Sequence, residues 1–162
     1  MRRWSTAWLA AVVLGVTLMF STQAQAKDAQ GPGKGIAIIE EHGQWEISYG
    51  TVYFRTFGTL QNKRAKPVQF VKMQLDLIDA TGKSVFTFIG YNQKAETLGD
   101  VEGIGAADAE PRVPLEEKLK KIEPLKPGEK DLFRLGVGKD EIPKSPKFKK
   151  YTLKIIEVRE AK

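Results

Sequence analysis

One histidine, no cysteine and scattered carboxylates bound the chemistry open to this chain. His42 follows Glu40 and Glu41, and a metal site here would need carboxylates alone to complete it. Consecutive strand residues point to opposite faces, so Glu40 and Glu41 are awkward joint ligands and His42 reads as a turn residue. A Ser-His-Asp triad would also have to use His42, and no serine occupies the strand-to-helix turn of a nucleophile elbow. Asp76, Asp79 and Gly82 miss the spacing of a calcium-binding loop. The glycine-rich runs 31–35 and 136–139 lack the spacing and the following helix of a phosphate loop, and 103–105 lacks the third glycine of a dinucleotide turn. Asp100, Glu102, Asp108 and Glu110 have the oxygen ligands that calcium takes, but a solvated acidic loop is the plainer reading. No catalytic constellation emerges. The expectation is a non-enzyme without cofactor or metal.

The most concentrated charge is basic. Lys144, Lys147, Lys149 and Lys150 surround Phe148, with Ser145 and Pro146 between them. As a contact site this segment would hold an anionic surface, with Phe148 as a shallow apolar foot. Its structural reading is protection of a terminal strand, since lysine and proline discourage edge-to-edge pairing.

The elements that must position these residues are strands. Val71, Met73, Leu75 and Leu77 alternate with Lys72, Gln74 and Asp76, the period of a strand with one buried face. Val68 and Phe70 keep the alternation in the opposite phase, and a bulge near Phe70-Val71 would bring both sets to the core. Asp79-Ala80-Thr81-Gly82 makes a tight turn before a strand over 85–91. Upstream, 36–41 reads as a strand, 42–44 as a turn, and 45–61 as one bent strand or two, divided at Gly50. Downstream, 132–137 and 151–158 supply the last strands. Leu115, Leu119 and Ile122 share a helical face behind Pro114, with Glu116/Lys120 and Glu117/Lys121 in the favoured ion-pair order. One short helix should therefore cap an end of the sandwich. The count is about seven strands in an all-β antiparallel sandwich.

The order G-x-L-x-N, a polar gap ending in proline, then F-V-x-M-x-L-x-L-I-D-x-x-G-K resembles the FxLYD-type domain of bacterial envelope proteins. Gly58, Leu60, Asn62, Phe70, Leu75, Leu77, Asp79 and Gly82 fall on that pattern, with Ile78 where the family more often has tyrosine. Leu125-Lys126-Pro127-Gly128-Glu129 with Phe133, and then Tyr151, Leu153 and Ile155, extend the resemblance over roughly 58–158. It implies an immunoglobulin-like β-sandwich and a role as an envelope accessory or binding module.

Arg2 and Arg3 precede an apolar stretch over 8–20 that ends in Ala24-Gln25-Ala26, the layout of a secretory signal peptide cleaved near Ala26. The residues after the paired arginines lack the apolar pair of a twin-arginine signal, which favours the general secretory route. The expected organisation is a signal peptide over 1–26, a flexible leader over 27–35 and a single domain over 36–160 with an insert at 92–123. Such a product would be periplasmic or secreted, with no transmembrane segment after cleavage. Without cysteine it has no disulfide and no lipid-bearing amino terminus. Losing Arg2 and Arg3 takes the formal charge from +6 to +4. That mild excess, with no aromatic-interleaved basic groove, points away from nucleic acid and towards an envelope protein or anionic envelope surface.

The leading expectation is an exported, non-enzymatic binding module, with the 92–123 insert as first candidate contact and 144–150 as second. The alternatives are an assembly protein that adds a strand to a partner's sheet, and a small hydrolase of envelope polymers using paired carboxylates.

Overall fold

In a computed structural model, which describes residues 27–28, 31–98 and 115–162, the alternating segments form antiparallel strands. They are β1 (Lys27–Asp28), β2 (Ile36–Ser48), β3 (Thr51–Asn62), β4 (Val68–Asp79), β5 (Ser84–Tyr91), β6 (Lys130–Gly138) and β7 (Phe148–Glu160). One helix, α1 (Leu115–Lys121), and two 3-10 segments, Gly31–Gly33 and Gln93–Leu98, complete the described elements. The expected signal peptide, the acidic residues Asp100, Glu102, Asp108 and Glu110, and Pro114 lie outside the described residues.

One sheet has the order β1-β2-β3-β6 and the other β5-β4-β7. The chain therefore changes sheet between β3 and β4, between β5 and β6, and between β6 and β7. Lettered in the immunoglobulin manner, β2-β3-β6 is A-B-E and β5-β4-β7 is C′-C-F, the Greek-key arrangement of such sandwiches. Between the sheets lie Leu60, Met73, Leu75, Leu77, Phe133 and Leu135, all but inaccessible to water. With no cysteine in the chain, apolar packing carries the domain.

Two departures from the sequence reading have clear physical causes. The segment 42–44 is not a turn: β2 runs straight through it, paired with β3 in unbroken register from Glu40↔Thr59 to Ser48↔Thr51. Gly43 is there for close approach, because a Cβ at that position would overlap the ring of Tyr151. The chain reverses instead at Tyr49-Gly50, where φ values of 49° and 78° make a two-residue hairpin turn of the primed type. Six long strands result rather than seven, with the two-residue β1 added at Ile38 and Ala37 of β2. Part of the expected leader is thus paired. Arg64 also holds it, donating from Nε to the Lys34 carbonyl at 2.8 Å.

The second departure concerns Phe70. Register shifts flank it, between Val68 and Phe70 and between Lys72 and Met73. They bring Val68 and Val71 into the main core, but Phe70 leaves it for a separate cluster with Tyr91, Ala95, Leu98, Leu119 and Ile122. That cluster is what α1 covers, at the end of the sheet where β4 begins and β5 finishes. Gln69 fastens the helix, its Nε2 donating to the carbonyls of Leu119 and Ile122 at 2.7 and 2.9 Å. Glu116 reaches Arg159 at 2.7 Å, an inter-element bridge rather than a helix-internal one.

Candidate functional site

The residues with catalytic potential are dispersed or already occupied. His42 is exposed on the outer face of β2, its ring 5.7 Å from that of Phe57. It lines an open cavity of about 490 Å³ with Glu40, Thr59, Glu96 and Arg134. Glu41 lies on the other face, beside Tyr151. Among the described residues no group of three or more His, Asp or Glu is placed to hold a metal ion.

Asp79 is the acceptor of its turn, taking Thr81 N at 2.8 Å, Thr81 Oγ1 at 2.6 Å and Lys83 N at 3.0 Å. Asp76 is bonded by Gln74 and Thr87 and sits 3.1 Å from Lys154 Nζ. Burial raises its pKa, but these donors outweigh that and hold the carboxyl below its ordinary range. Gly136 and Gly138 belong to β6, with no helix behind them.

The motifs that carry the resemblance meet in space. Asn62 is fully buried; its Nδ2 donates to the Leu125 and Lys66 carbonyls at 3.0 Å each, and its Oδ1 accepts from Arg64 N at 2.9 Å. Its backbone pairs with Gly128 and Glu129 at 2.7 and 3.0 Å. Glu129 in turn accepts from Lys126 N at 2.7 Å and from Lys94 Nζ at 2.6 Å. These residues clamp one end of the sandwich and serve the fold.

The opposite end is different. The β2–β3 hairpin extends past the second sheet, which stops at Asp79 of β4 and Phe148 of β7, paired with each other. Trp45 and Ile47 lie on the inward face of β2 at and beyond that limit: Phe148 still reaches Trp45, but among the described residues no strand of the second sheet extends opposite Ile47. Trp45 is therefore 48% exposed, Ile47 75% and Tyr49, at the turn, 106%. Trp45 is anchored by ring contacts with Phe54 at 5.5 Å and Phe148 at 5.8 Å.

Phe148 is not the free apolar foot the sequence suggested. Its ring is 5.0 Å from Phe54, and it is drawn inward to half-burial as part of the hairpin's base. Lys144, Lys147, Lys149 and Lys150 remain exposed around it. The connector carrying Lys144 and Lys147 is fixed to the hairpin, Lys139 N donating to the Val52 carbonyl at 2.8 Å.

Electrostatically this end is positive. Lys83, Lys139, Lys144, Lys147, Lys149 and Lys150 are exposed, and no ion pair among the described residues engages them. Its carboxylates are largely occupied: Asp79 in its turn, Glu141 accepting from Gly138 N at 3.0 Å, with Asp140 left exposed. Glu46 is bound by Arg55 at 2.7 Å and Arg134 at 3.1 Å, and the Arg55 hydrogen bond foremost holds its carboxyl below the usual range. The structure thus brings the predicted lysines together with three apolar residues the sequence reading had left within its strands. The one available signal was Trp45, the only tryptophan beyond the expected signal peptide.

The chain matches no protein-family model, and neither curated proteins nor solved structures supply a match.

Proposed function

We propose that this protein is an exported, non-enzymatic binding module that docks on an envelope component through its β2–β3 hairpin end. The observation that carries the reading is the exposure of Trp45, Ile47 and Tyr49 along the end of one hairpin, with Trp45 in ring contact with Phe148 of the 144–150 segment and its four exposed lysines. Large apolar side chains left in water on a rigid scaffold mark interaction surfaces, whereas singly scattered ones do not. The export signal over 1–26 and the resemblance to FxLYD-type envelope domains support the compartment and the class. The absent catalytic constellation in the sequence supports a binding role over a hydrolytic one.

The test is capture of partners from the cognate envelope fraction by the immobilised protein cleaved after Ala26. Substituting Ile47→Ser and Tyr49→Ser together should abolish capture and leave the melting temperature within a degree or two, since neither side chain is in the core. Undiminished capture would overturn the assignment of the hairpin end. Deleting 99–110, which spares the buried Leu98, tests the insert in the same way; this surface predicts that capture survives that deletion.

A second reading has its own observation. Among the described residues no strand pairs with the outer edge of β7, or with that of β2 beyond Ile38. Those edges offer backbone groups to an added strand. A self-associating or partner-dependent species on a sizing column supports this reading, and a strict monomer that binds nothing counts against it.

A further inference from the structure

Resting on the binding role proposed above, we infer that the surface on which the hairpin end docks is an anionic lipid bilayer. The side chains of Ile47 and Tyr49 enter the headgroup region, Trp45 lies at its rim, and the surrounding lysines face anionic headgroups.

The shape of the site argues for a bilayer. A hairpin that overhangs its sandwich is a protrusion, and small ligands are held in concave pockets that bury most of their surface. Its foremost side chains are Ile47, which has no hydrogen-bonding group, and Tyr49, wholly outside the protein surface at 106% exposure. A polysaccharide is held by polar side chains and open aromatic faces. Here Tyr49 offers one open ring, but its neighbour Ile47 has nothing with which to bond a sugar, and Trp45 is partly covered by the rings of Phe54 and Phe148.

The residue types suit a bilayer boundary. From the turn inward come Tyr49, Ile47 and Trp45, an aliphatic residue between the two aromatic types enriched at membrane interfaces, and the lysines lie on the 139–150 connector that is fixed to the hairpin at Val52. The lysine charge has its complement in an anionic leaflet, where each basic residue near the surface contributes about fivefold in affinity. The carboxylate nearest the hairpin tip, Glu46, would be repelled by that surface. It is instead held by Arg55 and Arg134 on the outer face of the sheet.

Backbone geometry adds an independent pointer. The first residue of a primed two-residue turn has positive φ, a place for asparagine, aspartate or glycine, and this chain puts tyrosine there at φ 49°. A bulky, fully exposed side chain held in the left-handed region gains no packing that offsets the strain, which marks the position as one kept for function.

The experiment uses the protein cleaved after Ala26, which keeps every described element and has Trp45 as its sole tryptophan. Titration with vesicles of phosphatidylglycerol and phosphatidylethanolamine should shift Trp45 emission to the blue, and brominated acyl chains should quench it. Phosphatidylcholine vesicles should give no shift, and raised salt should weaken the anionic response. Ile47→Ser with Tyr49→Ser should lower vesicle affinity at least tenfold. Replacing Lys147, Lys149 and Lys150 by glutamine should lower it by about a hundredfold and weaken the salt dependence by about half.

Absence of any vesicle response, with envelope capture through the hairpin retained, would overturn the lipid assignment and leave a protein or polysaccharide partner. An equal Trp45 shift with a soluble acidic polysaccharide would also overturn it. Failure of the unsubstituted protein both to bind vesicles and to capture any envelope component would overturn the binding role itself.

Discussion

Replacing Tyr49 by asparagine should make this protein more stable and less able to bind. Tyr49 occupies the first position of the β2–β3 turn at φ 49°, followed by Gly50 at 78°. For an ordinary L-residue the left-handed region costs roughly 1–2 kcal/mol, while asparagine tolerates it and Asn-Gly is the preferred pair for this turn. No packing is lost in exchange, because the tyrosine is 106% exposed. The net gain is therefore about 0.5–1 kcal/mol, equivalent to a rise in melting temperature of roughly 3 °C for a domain of this size. Urea and thermal unfolding of the two proteins measure the gain, and partner capture under the same buffer measures the loss. A lower melting point for the variant would show that Tyr49 makes a stabilising contact and that the strain argument is wrong. A more stable variant that binds undiminished would separate the turn from function altogether.

Three further outcomes follow from the same geometry. Asn62→Ala should destabilise the domain by about 2–3 kcal/mol in urea unfolding, because the side chain removed is fully buried and ties the loop after β3 to Leu125. Thr56 is buried with no hydrogen-bond partner for its hydroxyl among the described residues, so Thr56→Val should raise stability by about 1 kcal/mol; a loss in the unfolding curve would contradict this. Burial, reinforced by the charge of Glu41, pushes the Tyr151 phenol up to about 12. The folded state thus favours the protonated ring, so its contribution is complete below the unfolded pKa of about 10 and is lost as pH rises towards 12. Tyr151→Phe should flatten that part of the stability–pH curve.

Much of the fold was legible in the chain because most positions obey one rule at a time. The alternation from Val71 to Leu77 marked β4, Asp79 to Gly82 marked its turn, and Leu119 and Ile122 marked the buried side of the helical segment, although Leu115, expected on the same face, is left exposed at the helix start. Where two demands compete, local reading failed. Gly43 resembles a turn residue, yet it sits mid-strand because a ring from the other sheet needs the space, and nothing near it in sequence reveals Tyr151. Phe70 obeys the alternation of its neighbours but is carried out of the core by the register shifts around it.

The candidate site was legible in charge and not in shape. Lys144, Lys147, Lys149 and Lys150 stood out as a cluster, and their exposure agrees with that. Phe148 looked like the apolar member because it lies among them, although Phe54 and Trp45 draw it inward. Exposure of Ile47 depends on where the opposite sheet ends, a relation between β2 and residues 79 and 148 that no local window contains.

The most direct measurement places a photo-reactive amino acid at Ile47 and, as a control, at Leu132, an apolar position 53% exposed elsewhere on the surface. Irradiation of cells expressing each form should give adducts, to envelope protein or lipid, from position 47 and none from position 132. Adducts from 132 alone, or from neither, would contradict docking through the hairpin end.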